Sequence, residues 1–280
     1  MSQSFGERVR SALASAGPLC VGIDPHAALL DDWHLGQDAG GAREFGLRTV
    51  DAAAGRVAIV KPQVSFFERF GSAGIAALED VLAAARAAGL IVIADAKRGD
   101  IGSTMDAYAA AWLTPGGPLE ADALTVSPYL GVGALDGAVE LATAHGKGLF
   151  VLAATSNPEA AGLQGSQGPD GSVAAGVIAE ISARNAAQHG AEEWGSVGVV
   201  IGATVDWTQA GITPFSPGAP ILAPGFGAQG AEPGDLRARF GIMSAYVIAS
   251  ESRSILRAGP DRIASAIDAR VAQYQEAARG

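Results

Sequence analysis

Eight short apolar runs recur along the chain: "LCVGIDP", "VAIVKPQ", "LIVIADAK", "ALTVSPY", "GLFVLAATS", "VGVVIGAT", "PILAPGFGAQ" and "YVIASESR". Each ends in a loop carrying polar residues and is followed by a stretch of helical periodicity, such as "GIAALEDVLAAARAAG" with Gly89 as its C-terminal stop. Uninterrupted apolar strands belong to parallel sheets covered on their outer face, and helices of this kind supply the cover. Eight strand-then-helix units within 280 residues predict one α/β domain, a (β/α)₈ TIM barrel spanning residues 1–280. An extra N-terminal helix is expected in "MSQSFGERVRSALASAG", where Phe5, Val9 and Leu13 fall at helical spacing. An open doubly wound sheet would show fewer strands and a glycine-rich fingerprint after the first; "VGIDPH" is not that fingerprint.

Composition excludes several classes. Only 17% of residues are charged against 49% hydrophobic, which is a globular rather than a disordered balance. The most apolar stretches are broken by charge before the roughly 18–20 residues needed to span a bilayer, so no membrane association is expected. Glu7, Arg8 and Arg10 stand where a signal peptide needs its apolar core, and the cytoplasm is the expected location. Cys20 is the single cysteine and sits in an apolar run, so it reads as a buried, inert thiol. A net charge of −10 with scattered basic residues argues against nucleic-acid binding. An anionic substrate must therefore be caught by a local pocket.

Parallel strands bring their C-terminal ends to one mouth. The polar residues expected there are Asp24, Lys61, Asp95, Lys97, Ser127, Ser156, Thr204, Gln229 and Arg253. Carboxylates and ammonium groups from several strands around one mouth invite coupled ionisation and preorganised electrostatics. In "IVIADAKRGDIGST", Asp95 and Lys97 are two apart on a strand and face the same side, while Ala96 packs outward. Arg98 has the opposite parity and reads as a loop anchor, and Asp100 lies beyond Gly99, where nothing local returns it to the same pocket. "APGFGAQGAEPG" offers glycine amides and Gln229, and "IASESRS" offers Arg253; loops after the seventh and eighth strands are frequent phosphate sites. The histidines His26, His34, His145 and His189 form no metal-ligand pattern, so no metal is expected. The long interval after the fifth strand contains "GLQGSQGPDGS", and residues 157–172 are expected to form a mobile lid.

Asp95-Ala-Lys97-Arg-Gly-Asp100-Ile101 resembles the D-x-K-x-x-D-I signature of the orotidine 5′-phosphate decarboxylase family, and "VKPQ" places Lys61 where that family carries its other active-site lysine. "GIDP", "SNPE" and "GFGAQGAEPGD" resemble its ribose, pyrimidine and phosphate segments, with the "TSNPE" wording of its longer bacterial branch. The resemblance implies conversion of orotidine 5′-phosphate to uridine 5′-phosphate in pyrimidine synthesis, with no metal or cofactor. It implies that Lys97 stabilises and protonates the C6 carbanion, that Asp95 holds Lys97 and faces the substrate carboxylate, and that Lys61 orients Asp95 and bonds ribose. It further implies a homodimer with shared sites, in which Asp100 and Thr104 cross to the partner; Ile101 belongs to the same signature. Asp24 is implied at the ribose, Ser156 at the pyrimidine, and Gln229 with Arg253 at the phosphate of the nucleoside monophosphate. Ser252 stands where the family usually has glycine, which leaves that backbone contact open.

Three other readings compete. A magnesium-dependent sugar-phosphate decarboxylase shares the D-x-K-x-x-D string but carries an acidic residue at the Lys61 position. A Schiff-base aldolase would use Lys97 as its amine, although Asp95 beside it keeps an ammonium protonated. A barrel that binds a phosphorylated ligand without turnover would need Arg253 and Gln229 but not the charged set Asp24, Lys61, Asp95 and Lys97.

Overall fold

In the computed structural model, which describes residues 3–168, 171–189 and 193–279, the eight apolar runs become eight strands. They are β1 (Leu19–Ile23), β2 (Ile59–Pro62), β3 (Ile91–Arg98), β4 (Ala123–Val126), β5 (Gly148–Ala154), β6 (Val197–Ile201), β7 (Ile221–Pro224) and β8 (Val247–Glu251). They pair in parallel in chain order, and β8 closes on β1 with Leu19 opposite Ala249, giving a closed barrel. Two registers slip, between Ala94 and Arg98 in β3 and between Leu152 and Ala154 in β5. The first slip lies inside the charged stretch.

Alternation divides each strand between two cores. Cys20, Ile59, Ile93, Ala123, Phe150, Val200, Leu222 and Ile248 pack together in one buried cluster, and their neighbours join a larger one against the helices. The main helices are α1 (Phe5–Ala16), α2 (Ala39–Ala53), α3 (Gly71–Ala87), α4 (Gly102–Leu113), α5 (Asp136–Ala144), α6 (Val173–His189) and α7 (Ile263–Arg279). Helix α3 buries Ala77, Leu78, Val81, Leu82 and Ala85, an i, i+4 stripe, and stops at Gly89, whose φ of 75° lets Leu90 N–H reach back to the Ala85 carbonyl.

The N-terminal helix has a structural task. Ser4 caps it by accepting from the Glu7 N–H, and Phe5, Val9 and Ala12 then join the smaller cluster inside the barrel. Phe5 meets Phe150 edge-on at 6.0 Å between ring centres. Burying such a side chain contributes about 1.5–3 kcal/mol, so α1 stabilises the floor while the opposite end stays open. The segment after β5 is built from short pieces: a 3₁₀ turn (Pro158–Ala160), a helix (Ala161–Gln164) and a short antiparallel pairing of Gln167–Gly168 with Gly171–Ser172. Residues 169 and 170 of the expected lid lie outside the described residues. Among the described residues no helix is long and apolar enough to cross a membrane.

Candidate active site

A cavity of about 240 Å³ opens among the strand ends and is lined by Asp24, Lys61, Asp95, Lys97, Gln229 and Arg253, with Gln63, Thr125, Thr155 and Ser252. Its centre is the buried Asp95 carboxylate. Lys61 Nζ donates to Asp95 Oδ2 at 2.9 Å, Lys97 Nζ donates to Oδ1 at 2.5 Å, and Thr125 Oγ1 donates to Oδ1 at 3.0 Å. Gln63 Nε2 donates to the Asp95 backbone carbonyl at 3.1 Å. Burial alone would raise the Asp95 carboxyl, but the Lys61 and Lys97 ammonium groups hold it well below the usual carboxylate range. Burial likewise opposes charge on Lys61, yet Asp95 and Asp24 push its ammonium above the ordinary lysine value. Asp95 is thus an anion fixed between two cations, one sealed in the barrel and one facing the opening.

Lys97 reaches that position by a route strand parity does not describe. Its φ is 49°, a left-handed backbone that costs a residue with a side chain on the order of 1–2 kcal/mol. The β3 bulge falls here, and the Lys97 N–H, lost to the regular ladder, donates to Thr125 Oγ1 at 2.9 Å. Thr125 therefore serves both residues at once. It is a polar residue of "ALTVS", where Ser127 is the one expected at the mouth; the structure corrects this, since Ser127 does not line the cavity and Thr125 does. Thr204 is corrected likewise and lines a neighbouring cavity with Ser156 and Asn157. Arg98 ion-pairs with Glu68, donates to the Ala96 carbonyl and lies over the Tyr108 ring, away from Asp95.

The remaining residues divide between wall and rim. Asp24 keeps its Oδ1 buried without a hydrogen-bond partner, an acceptor at the wall that a ligand hydroxyl would satisfy. Ser156 is exposed outside the cavity lining, and its Oγ meets Gln229 Oε1 at 3.2 Å across 73 positions of chain. Asp100 is half-buried and accepts from the Ile101 N–H, while Ile101 and Thr104 are exposed; none of the three lines the cavity. Ser252 does line it, and its Oγ lies 1.9 Å from where a side-chain carbon on Gly22 would stand, so this serine requires glycine opposite. Gln63 is a wall residue that no motif in the sequence singles out, and Thr155 lines the wall where Ser156 was expected. His26 stacks on Phe66 at 4.2 Å and lies outside the lining; burial, ahead of Arg253 and Arg69, lowers its basicity. Among the described residues no three His, Cys, Asp or Glu side chains are grouped to hold a metal.

This geometry belongs to a chain whose residues 17–267 match the model of the orotidine 5′-phosphate decarboxylase / HUMPS family. The chain belongs to that family. It is 53% identical over 263 residues to the orotidine 5′-phosphate decarboxylase of Salinispora tropica, covering 94% of this chain and 93% of the relative. It is 52% identical over 262 residues to that of Streptomyces coelicolor, covering 92% of each. The crystal structure of a Streptomyces avermitilis protein superposes with a TM-score of 0.93 at 49% identity, covering 100% of this chain and 98% of that one. The Leishmania donovani OMP decarboxylase superposes at 0.77 with 30% identity, covering 98% and 100%. The barrel expected from the strand pattern is thus the fold of this family.

Proposed function

We propose that this protein removes CO₂ from C6 of orotidine 5′-phosphate to give uridine 5′-phosphate, the step its relatives are named for in pyrimidine synthesis. The observation that carries the reading is the Asp95 carboxylate clamped between Lys61 and Lys97 inside a cavity that also holds Arg253 and Gln229. Decarboxylation leaves the electron pair of the broken C–C bond on C6. The Lys97 ammonium stabilises that charge and then donates its proton there, and water returns the proton to Lys97 after product release. Asp95 lies against the substrate carboxylate: two like charges about 4 Å apart cost about 4 kcal/mol at an effective dielectric near 20, a repulsion that ends as CO₂ leaves. Lys61 stays buried, keeps Asp95 ionised and turned towards Lys97, and reaches the ribose with Asp24. Ser156 and Gln229 contact the pyrimidine and phosphate, and Arg253 binds the phosphate as a fork. Residues 157–172 act as the lid.

A magnesium-dependent decarboxylation would need an anionic ligand beside Asp95, and the Lys61 ammonium occupies that place. The reaction is therefore assigned to side chains alone. The working form is a homodimer. Ile101, Tyr129 and Leu130 are exposed apolar residues, 61%, 75% and 53% accessible, on adjoining loops tied by the Ser127 N–H to the Arg98 carbonyl. Ile101 adjoins Asp100, so a second copy docking on this face would carry Asp100 and Thr104 towards its partner's cavity.

The test is the loss of orotidine 5′-phosphate absorbance with EDTA present and no cofactor added. Turnover is expected, and in Lys97→Ala it should fall to near background with substrate binding largely kept, because carbanion stabilisation is needed only during reaction. Activity abolished by EDTA and restored by magnesium, or ordinary turnover in Lys97→Ala, would overturn the assignment.

A further inference from the structure

Directly behind the Gly225–Ala231 loop and the Arg253 strand end lies a buried ionic network that the decarboxylation chemistry does not use. Glu251, the last residue of β8 and two before Arg253, has no exposed side-chain surface. Arg270 on α7 grips it through Nε at 2.9–3.0 Å and Nη2 at 2.8 Å, Tyr274 donates its hydroxyl at 2.7 Å, and Ser254 donates to Oε2 at 2.7 Å. The remaining nitrogen of the same guanidinium, Nη1, donates to Glu232 Oε2 at 3.0 Å and to Gln273 Oε1 at 2.8 Å. Glu232 is the residue that follows the glycine-rich loop. One arginine therefore spans the roots of both candidate phosphate-binding segments.

The loop rests on this network. Gly227 has φ 69°, and a side-chain carbon there would lie 2.5 Å from Ser254 Oγ and 2.7 Å from Glu251 Oε2. The Gly227 N–H closes the loop onto the Ala231 carbonyl at 2.7 Å, and the Phe226 ring packs edge-on to Tyr274 at 6.0 Å. Arg270 and Tyr274 are one helical turn apart, so a single face of α7 sets the height of the loop and the direction of β8. Charge points the same way. A buried carboxylate two residues from a phosphate-binding arginine would repel the ligand and compete for that arginine unless another cation neutralised it.

We propose that Arg270, acting through Glu251 and Glu232, is a positioning residue for binding of the substrate phosphate: it holds the glycine-rich loop and Arg253 in register and keeps Arg253 free for the ligand. The proposal rests on the phosphate reading of Arg253 and Gln229 given above. A planar fork satisfies both glutamates simultaneously, whereas a lysine ammonium neutralises Glu251 but cannot also reach Glu232 in the same geometry.

The experiment compares kcat and KM for orotidine 5′-phosphate with those for orotidine, which has the same base and ribose but no phosphate, in the full-length protein. Arg253→Ala should raise KM for the phosphorylated substrate and leave orotidine nearly unchanged. Arg270→Lys should follow the same pattern with a smaller effect, about tenfold in KM for the phosphorylated substrate, as a displacement of well under 1 Å at a binding group produces. Glu232→Gln, which removes the charge from the exposed half of the network and keeps an acceptor oxygen for the Asp235 N–H that Glu232 caps, should shift KM in the same direction and retain the melting temperature. Equal losses on both substrates would mean that Arg270 is merely structural, and no loss on either would remove it from the site; both results overturn the proposal. Should Arg270→Lys fail to fold, Glu232→Gln decides alone, and an unchanged KM there refutes it. If Arg253→Ala fails to discriminate the two substrates, the phosphate reading falls and the inference with it.

Discussion

The backbone N–H of Lys97 donates to Thr125 Oγ1 at 2.9 Å, and the same hydroxyl donates to Asp95 Oδ1 at 3.0 Å. One side chain on β4 thereby supports a strained lysine and orients the carboxylate with which that lysine pairs. Thr125→Val keeps the shape and removes both bonds. Losing a hydrogen bond to a charged group costs about 2 kcal/mol, which corresponds to about a thirtyfold fall in kcat if all of it is felt in the transition state. Steady-state kinetics on a variant of unchanged melting temperature checks this; wild-type turnover would show that Lys97 needs no such support.

The Lys61–Asp95 pair couples stability to pH with a definite sign. Asp95 titrates lower in the folded chain than its ordinary 3.8, so its stabilisation is complete above that value and drains away as pH falls towards the lower folded value. Lys61 titrates above its ordinary 10.5, so its contribution is complete below that value and is lost as pH rises through the folded one. Unfolding free energy should drop more steeply between about pH 5 and about pH 2 in the wild type than in Lys61→Met/Asp95→Asn, whose site carries neither charge. Parallel curves would count against the pair as a source of acid sensitivity.

Cys20 lies in the barrel interior beneath this pair, fully buried, and burial, the largest influence, pushes its thiol up to about 12. It should be unreactive towards a thiol reagent at neutral pH while the protein is folded and react stoichiometrically in denaturant. Cys20→Ala should leave kcat within about twofold, since a small apolar side chain replaces a small apolar thiol. Rapid labelling of the native protein would place a path to solvent where the barrel core is drawn closed.

Asp100 offers a test of the shared site. Lys97→Ala and Asp100→Ala chains should each be inactive. Mixed and allowed to exchange subunits, they should form about half hybrid dimers, in which one site in two is intact, so activity should rise to about a quarter of wild type. With exchange confirmed by mass, a flat trace would mean that Asp100 serves its own chain.

What the sequence determined by itself is what depends on local periodicity. The apolar runs specified the strands, and the 3.6-residue stripe and Gly89 specified α3 and its end; alternation also put Asp95 and Lys97 on one side, an outcome the structure reaches through the bulge at Lys97 instead. The family signature located the charged residues on strands whose ends must converge. Tertiary structure alone decided the rest, because it depends on partners distant in sequence. Ser127 was expected at the mouth because it follows the end of β4, and only the closed β3–β4 pairing, with its bulge at Lys97, shows that Thr125 faces inward instead. Likewise Glu251 reads as one more charge beside Arg253 until α7 brings Arg270 and Tyr274 against it, 19 and 23 positions away. A local pattern says which face a residue occupies; which buried polar group satisfies which is settled only when the chain closes and desolvation makes every unpaired one costly.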